Sequence, residues 1–158
     1  MNTSETPTKD NVLRRTIHLR ERLNGVVQPT GGATVTCDYD KDTKQLRFAV
    51  ALCSTKDGFC KKKGRLISQG RLVTGFVADD PYTMIAGHRF VFRATVPENV
   101  RFVNVIYDTI QDVLKNDKWI KEPDVSNLED IAYLCEDTIH YTTQKYTEEN
   151  LLTQPIDY

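Results

Sequence analysis

No run of apolar residues in this 158-residue chain approaches the roughly 20 needed to cross a bilayer, so no membrane role is expected. The opening "MNTSETPTKD" lacks the apolar stretch of a secretory leader, and a cytoplasmic location is the expectation. Cysteine is scarce. Cys37, Cys53, Cys60 and Cys135 include no CxxC pair, which favours buried free thiols over a disulfide framework or a zinc site.

Signatures of chemistry are missing as well. There is no HExxH, HxH or GxSxG, and neither a Walker loop nor a GxGxxG run. His18, His88 and His140 read as structural or surface residues, with His140 one helical turn from Glu136. Asp38, Asp40 and Asp42 alternate in "DYDKD", but the frame lacks the central glycine and closing glutamate of a calcium loop. No cofactor and no metal are expected, and an enzyme is the less favoured class. The aromatic pattern of an RNA-recognition domain, a KH loop and a zinc finger are all absent.

What is present is charge, unevenly spread around a net −1. Residues 53–72 hold Lys56, Lys61, Lys62, Lys63, Arg65 and Arg71 against Asp57 alone, a local +5. Residues 9–25 hold Lys9, Arg14, Arg15, Arg20 and Arg22 against Asp10 and Glu21, a local +3. Residues 117–158 carry ten carboxylates against three lysines, a local −7. Such polarity can focus a field toward a ligand, or draw two copies of the chain into a homodimer.

Apolar periodicity sets the expected elements. Val12, Leu13, Ile17, Leu19 and Leu23 fit a broad 3.6-residue stripe, so 10–25 is predicted helical, closed by Gly25. "ATVTCDYD" and "TKQLRFAVALCS" alternate with period two and predict a hairpin. The second of these strands carries Ala49 and Ala51 opposite its large residues, which predicts a central strand covered partly on both faces. "STKDGFCKKKGRLISQG" predicts a helix capped by Ser54, Thr55 or Asp57, with a turn after Gly70. Gly64 and Gly70 each weaken it by about 1 kcal/mol unless they serve close packing. Strands are predicted at 72–78 and 88–96, and a helix over 98–119 buries Val103, Ile106, Ile110, Val113 and Leu114. Ser126 and Glu129 match a capping box and predict the start of a last helix.

The sum is an α+β domain over 9–146, with a mainly antiparallel sheet of about four strands and about four helices packed on it. Residues 1–8 read as a loose tail. Residues 147–158 read as a second tail, partly docked through Leu151, Leu152 and Ile156.

The leading functional expectation is a non-enzymatic accessory protein that grips a nucleic-acid phosphate backbone. Lys61, Lys62, Lys63, Arg65 and Arg71 supply the charge, Arg14 and Arg15 extend the track, and Tyr39 and Phe59 offer stacking surfaces to unpaired bases. Whether the two basic segments form one surface is not readable from the sequence. Two rivals use other residues. The acidic last helix, with Glu129, Asp130, Glu136 and Asp137, suits docking onto a basic protein partner. A closed pocket holding Arg65, a tyrosine and a histidine would suit a phosphorylated small molecule.

Overall fold

The computed structural model describes residues 11–74, 91–115 and 122–148. Four strands, β1 (Val12–Leu19), β4 (Ala33–Asp40), β5 (Gln45–Leu52) and β6 (Val91–Thr95), form one antiparallel sheet in the order β1-β4-β5-β6. A two-residue hairpin, β2 (Arg22–Leu23) with β3 (Val26–Val27), projects from the connection between β1 and β4. Helix α1 (Lys61–Thr74) packs on β4 and β5, while α2 (Phe102–Lys115) and α3 (Glu122–Glu148) pack on each other and on the sheet.

The chain is therefore α+β around a four-stranded antiparallel sheet, but its first long element is a strand. Residues 10–25 are not a helix. The same residues satisfy period two: Leu13, Ile17 and Leu19 fall on one face, and Arg14, Thr16 and His18 on the other. Eight residues of β4 lie in antiparallel register with β1, from Val12 opposite Asp40 to Leu19 opposite Ala33. A helix would leave that edge of β4 without a hydrogen-bonding neighbour, and buried backbone groups rarely go unpaired.

The sheet separates two unlike interiors. On one face Leu19, Val35, Cys37, Leu46, Phe48, Val50 and Phe92 meet the stripes of α2 and α3, including Phe102, Ile106, Ile110, Leu128, Ile131, Leu134 and Cys135. Phe48 and Phe92 stack across neighbouring strands at 5.2 Å. Burial pushes the Cys135 thiol up to about 12 and raises Cys37 further still, so both are inert core residues. Cys53 is half-buried and Cys60 exposed, so burial of all four thiols does not hold.

The other face is built from small side chains. Ala49, Leu72 and Val91 cluster under α1, and the buried Thr36 and Ser68 hydroxyls share a 2.7 Å hydrogen bond. Gly64 lies so close to β4 that a Cβ there would sit 2.9 Å from Thr34 Cβ. As expected, β5 is covered partly on both faces, with Arg47 left exposed.

Several boundaries move. Helix α1 begins at Lys61 rather than near Ser54, with Cys60 Sγ accepting from the Lys63 amide at 3.5 Å. It runs through Gly70 to Thr74, so 72–74 are helical rather than the start of a strand. Residues 75–78 of that expected strand, and Asp79, Tyr82, His88 and Phe90, lie outside the described residues. Ser126 does not cap α3, which starts at Glu122 and takes Pro123 in its first turn, where a missing amide proton costs least. Of the helices among the described residues there are three, not four, because the first expected one is β1. Residues 1–10 and 149–158, which include all of the first expected tail and most of the second, also lie outside the described residues.

Candidate nucleic-acid interface

Helix α1 carries Lys or Arg at five of its 14 positions and no acid. Lys61, Lys62, Lys63 and Arg65 are exposed. Three of them occupy the first turn, where the helix dipole disfavours further positive charge. Nothing in that turn offsets the resulting field, and it points into solvent.

The strand geometry of β1 brings the other basic segment to the same place. His18 faces α1, its Nδ1 3.0 Å from Thr34 Oγ1. Its imidazole meets the edge of Phe59, ring centroids 5.7 Å apart. The guanidinium of Arg20 lies 4.3 Å above the same Phe59 ring and donates to Gln28 O at 3.0 Å. Burial lowers the His18 pKa below the usual imidazole range, and the positive charges of Lys61, Arg65 and Arg20 push it down further. Two basic stretches some forty residues apart in sequence thus meet around one histidine.

A second basic row crosses the same face further along the strands. The strand register sets Arg14 beside Asp38, Asp38 beside Arg47, and Arg47 beside Arg93. Asp38 is the buried hinge of this row. It accepts from Arg14 Nε at 2.7 Å and Arg14 Nη2 at 2.8 Å, and from Arg47 Nη2 at 3.4 Å. Replacing Asp38 by Asn removes the charge that orders both arginines. Each arginine side chain is more than a third exposed and hydrates readily, so a loss of only about 1 kcal/mol is expected in urea denaturation.

The expected site residues divide accordingly. Lys61, Lys62, Lys63 and Arg65 share the exposed basic end of α1. Arg71 does not join them, since its guanidinium donates to Val50 O at 2.6 Å. Arg14 is on the α1 face but tied to Asp38. Arg15 is exposed on the opposite face, in register with Cys37, because adjacent strand residues point to opposite sides. Tyr39 also lies on that opposite face, half-buried with its ring 5.1 Å from Phe102. Phe59 is at the basic cluster, but one of its ring faces already carries Arg20. Arg20, His18, Arg47 and Arg93 were not singled out from the sequence. Period two in 12–20 was the available signal for the first two, and only strand register gives the others.

The acidic helix sits across the sheet. Glu129, Asp130 and Glu136 are exposed, and Asp137 pairs with Arg22 at 3.4 Å. Arg22 also lies 4.2 Å over the Tyr141 ring. Glu21 is held above the usual carboxylate range by partial burial, and Asp130 and Asp137 add to the effect. Tyr133, 52% exposed, is the one large apolar surface between Glu129 and Glu136 among the described residues.

A 240 Å³ cleft beside the start of α1 is lined by Leu52, Cys53, Phe59, Cys60, Lys63 and Ile67, among others, and includes neither Arg65 nor a tyrosine or histidine. Among the described residues no three His, Cys, Asp or Glu side chains gather as a metal site. No helix among them is long and apolar enough to cross a membrane. Comparison with protein-family models, with curated proteins and with solved structures finds no match.

Proposed function

We propose that the chain is a non-enzymatic nucleic-acid-binding protein that holds a phosphate backbone on its α1 face. The observation that carries this reading is the packing of Arg20 and His18 on Phe59, two residues before the exposed Lys61 that opens the basic end of α1. It joins the two basic segments into one field, while the carboxylates of α3 lie beyond the sheet. Backbone contacts of this kind give affinity with little base specificity. Fluorescence anisotropy against single-stranded DNA, duplex DNA and RNA over a salt series tests it. The expected result is binding that weakens linearly on a log–log plot, with a slope of about −0.9 per duplex phosphate neutralised. Absence of binding to all three at low salt removes the reading, and a search for a protein partner of α3 would follow.

His18 gives this reading a pH signature. The groups facing it are Arg20 beyond the end of β1, Thr34 on β4, Phe59 before α1, and Lys61 and Arg65 on α1. In the free protein its pKa lies below that of the unfolded chain. The unfolded state then binds more protons, and stability falls as pH drops through about 6.5. A bound polyanion offsets the neighbouring positive charges and favours the imidazolium. Binding therefore takes up a proton, and affinity rises as pH falls through the same window. Paired melting and anisotropy series at pH 5.5–7.5 are expected to show opposite trends, and His18→Gln is expected to flatten both.

A further inference from the structure

The β2–β3 hairpin has no role in the fold's core, yet it is firmly built. Asn24 and Gly25 adopt φ of 52° and 80°, the paired left-handed conformations of a two-residue turn whose twist matches its strands. The Gln28 amide donates to Glu21 O at 2.8 Å, and Arg20 clamps Gln28 O. Arg22 is anchored on α3 by Asp137 and Tyr141. The finger is thus fixed at its base.

Its tip is apolar. Leu23 and Val26 face each other across the strands, and both are 63% exposed. Two aliphatic side chains side by side at an exposed turn have unfavourable hydration. The ground next to them is charged. Arg20, two residues before β2, belongs to the cluster with His18, Lys61 and Arg65. The carboxylates Glu21, Asp130 and Asp137 lie together toward α3. An anionic partner is therefore favoured on the Arg20 side and opposed on the side of these carboxylates.

We propose that this hairpin is a wedge for duplex nucleic acid: the basic cluster holds phosphates while the Leu23–Val26 pair enters the minor groove and parts one base step. The inference rests on the nucleic-acid reading above. Leu23 stands two residues beyond the Glu21–Gln28 pair, about 7 Å along a strand, which matches a minor-groove depth of roughly 7.5 Å. Aliphatic side chains are suited to part stacked bases, and such insertion kinks a duplex by roughly 20–90°. A single strand would instead want open aromatic platforms, and the Phe59 ring has a face taken by Arg20. Steps that unstack easily, such as TA and CA/TG, are the preferred sites.

The test uses the full chain and short duplexes labelled at both ends, with a central TA step or a central A-tract. End-to-end energy transfer reports bending, 2-aminopurine at the step reports unstacking, and anisotropy reports binding. The expected result is bending and a rise in 2-aminopurine emission, stronger on the TA duplex. Leu23→Ser/Val26→Ser, at exposed positions, is expected to abolish both signals while salt-sensitive binding to single strands persists. Duplex binding without bending, or bending unchanged in the double variant, overturns the wedge and leaves the nucleic-acid reading standing. No binding to any nucleic acid overturns both and assigns the apolar tip to a protein contact.

Discussion

Gly64→Ala is expected to destabilise the protein, while Gly70→Ala, six residues along the same helix, is expected to stabilise it. Alanine improves helix propensity at both positions by roughly 1 kcal/mol. The surroundings decide the sign. Among the described residues a Cβ at Gly70 meets nothing within 4 Å, so the propensity gain survives. A Cβ at Gly64 runs into Thr34, whose own Cβ would be 2.9 Å away. Thr34 cannot swing clear easily, because it is buried on the central strand β4 and its hydroxyl meets His18. Helix α1 must lift from the sheet instead, which strains the Thr36–Ser68 hydrogen bond and the packing of Leu72. Overpacking of this kind costs about 1–3 kcal/mol, enough to exceed the propensity gain. Gly64→Val, bulkier and β-branched, is expected to lose more. Urea denaturation of the three variants measures this, and equal shifts at Gly64 and Gly70 would contradict the close approach of α1 to β4.

Charge reversal at the meeting point of the two basic segments has the largest expected effect on binding. In Lys61→Glu/Arg65→Glu two exposed cations one helical turn apart become anions. The fold is expected to persist, since neither side chain is buried. A carboxylate at position 61, in the first turn, also suits the helix dipole, so a small gain in stability is expected. Nucleic-acid affinity at low salt is expected to fall on the order of 100-fold, and the salt slope to shrink by about two phosphate contacts. The comparison variant is Arg71→Lys. Arg71 donates to Val50 O rather than joining the cluster, so its replacement is expected to change stability more than affinity. A charge-reversed protein that binds as tightly as the native chain would show that the α1 face is not the binding surface. In its pH profile the variant moves in the same direction as His18→Gln. Burial still holds the His18 pKa down, but removing two of the three neighbouring charges that add to it is expected to raise that pKa and so weaken the acid sensitivity of folding.

Much of the fold was legible where local pattern and global packing agree. In β4 and β5 strict alternation, the small Ala49 and Ala51, and the turn-rich 40–44 all point to a central hairpin, and the register confirms it. Phe92 and Ala94 on one side of β6, with Val91 and Arg93 on the other, follow from the same period. The stripe of α2 was legible because Val103, Ile106, Ile110 and Val113 recur at helical spacing. The capping-box pattern at Ser126 misled because it is a local motif, whereas α3 is extended by four further residues at its start.

The sequence by itself determined the strong local periods, the concentration of five basic residues and no acid on α1, and the excess of carboxylates at the other end of the chain. It could not decide residues 12–19. Their apolar positions satisfy both a helical stripe and a half-buried strand, and the energy that separates the two lies in eight residues of non-local pairing with β4. That pairing has consequences for the site. In a helix Arg14 and Arg15 would share a broad polar surface, whereas in a strand they part to opposite faces. The strand also sets Arg14 against Asp38, and His18 against Lys61 and Arg65. Tertiary structure alone made one basic face out of two distant segments, because hydrogen bonding across the sheet, and not any preference within 12–19, fixes which way each side chain points.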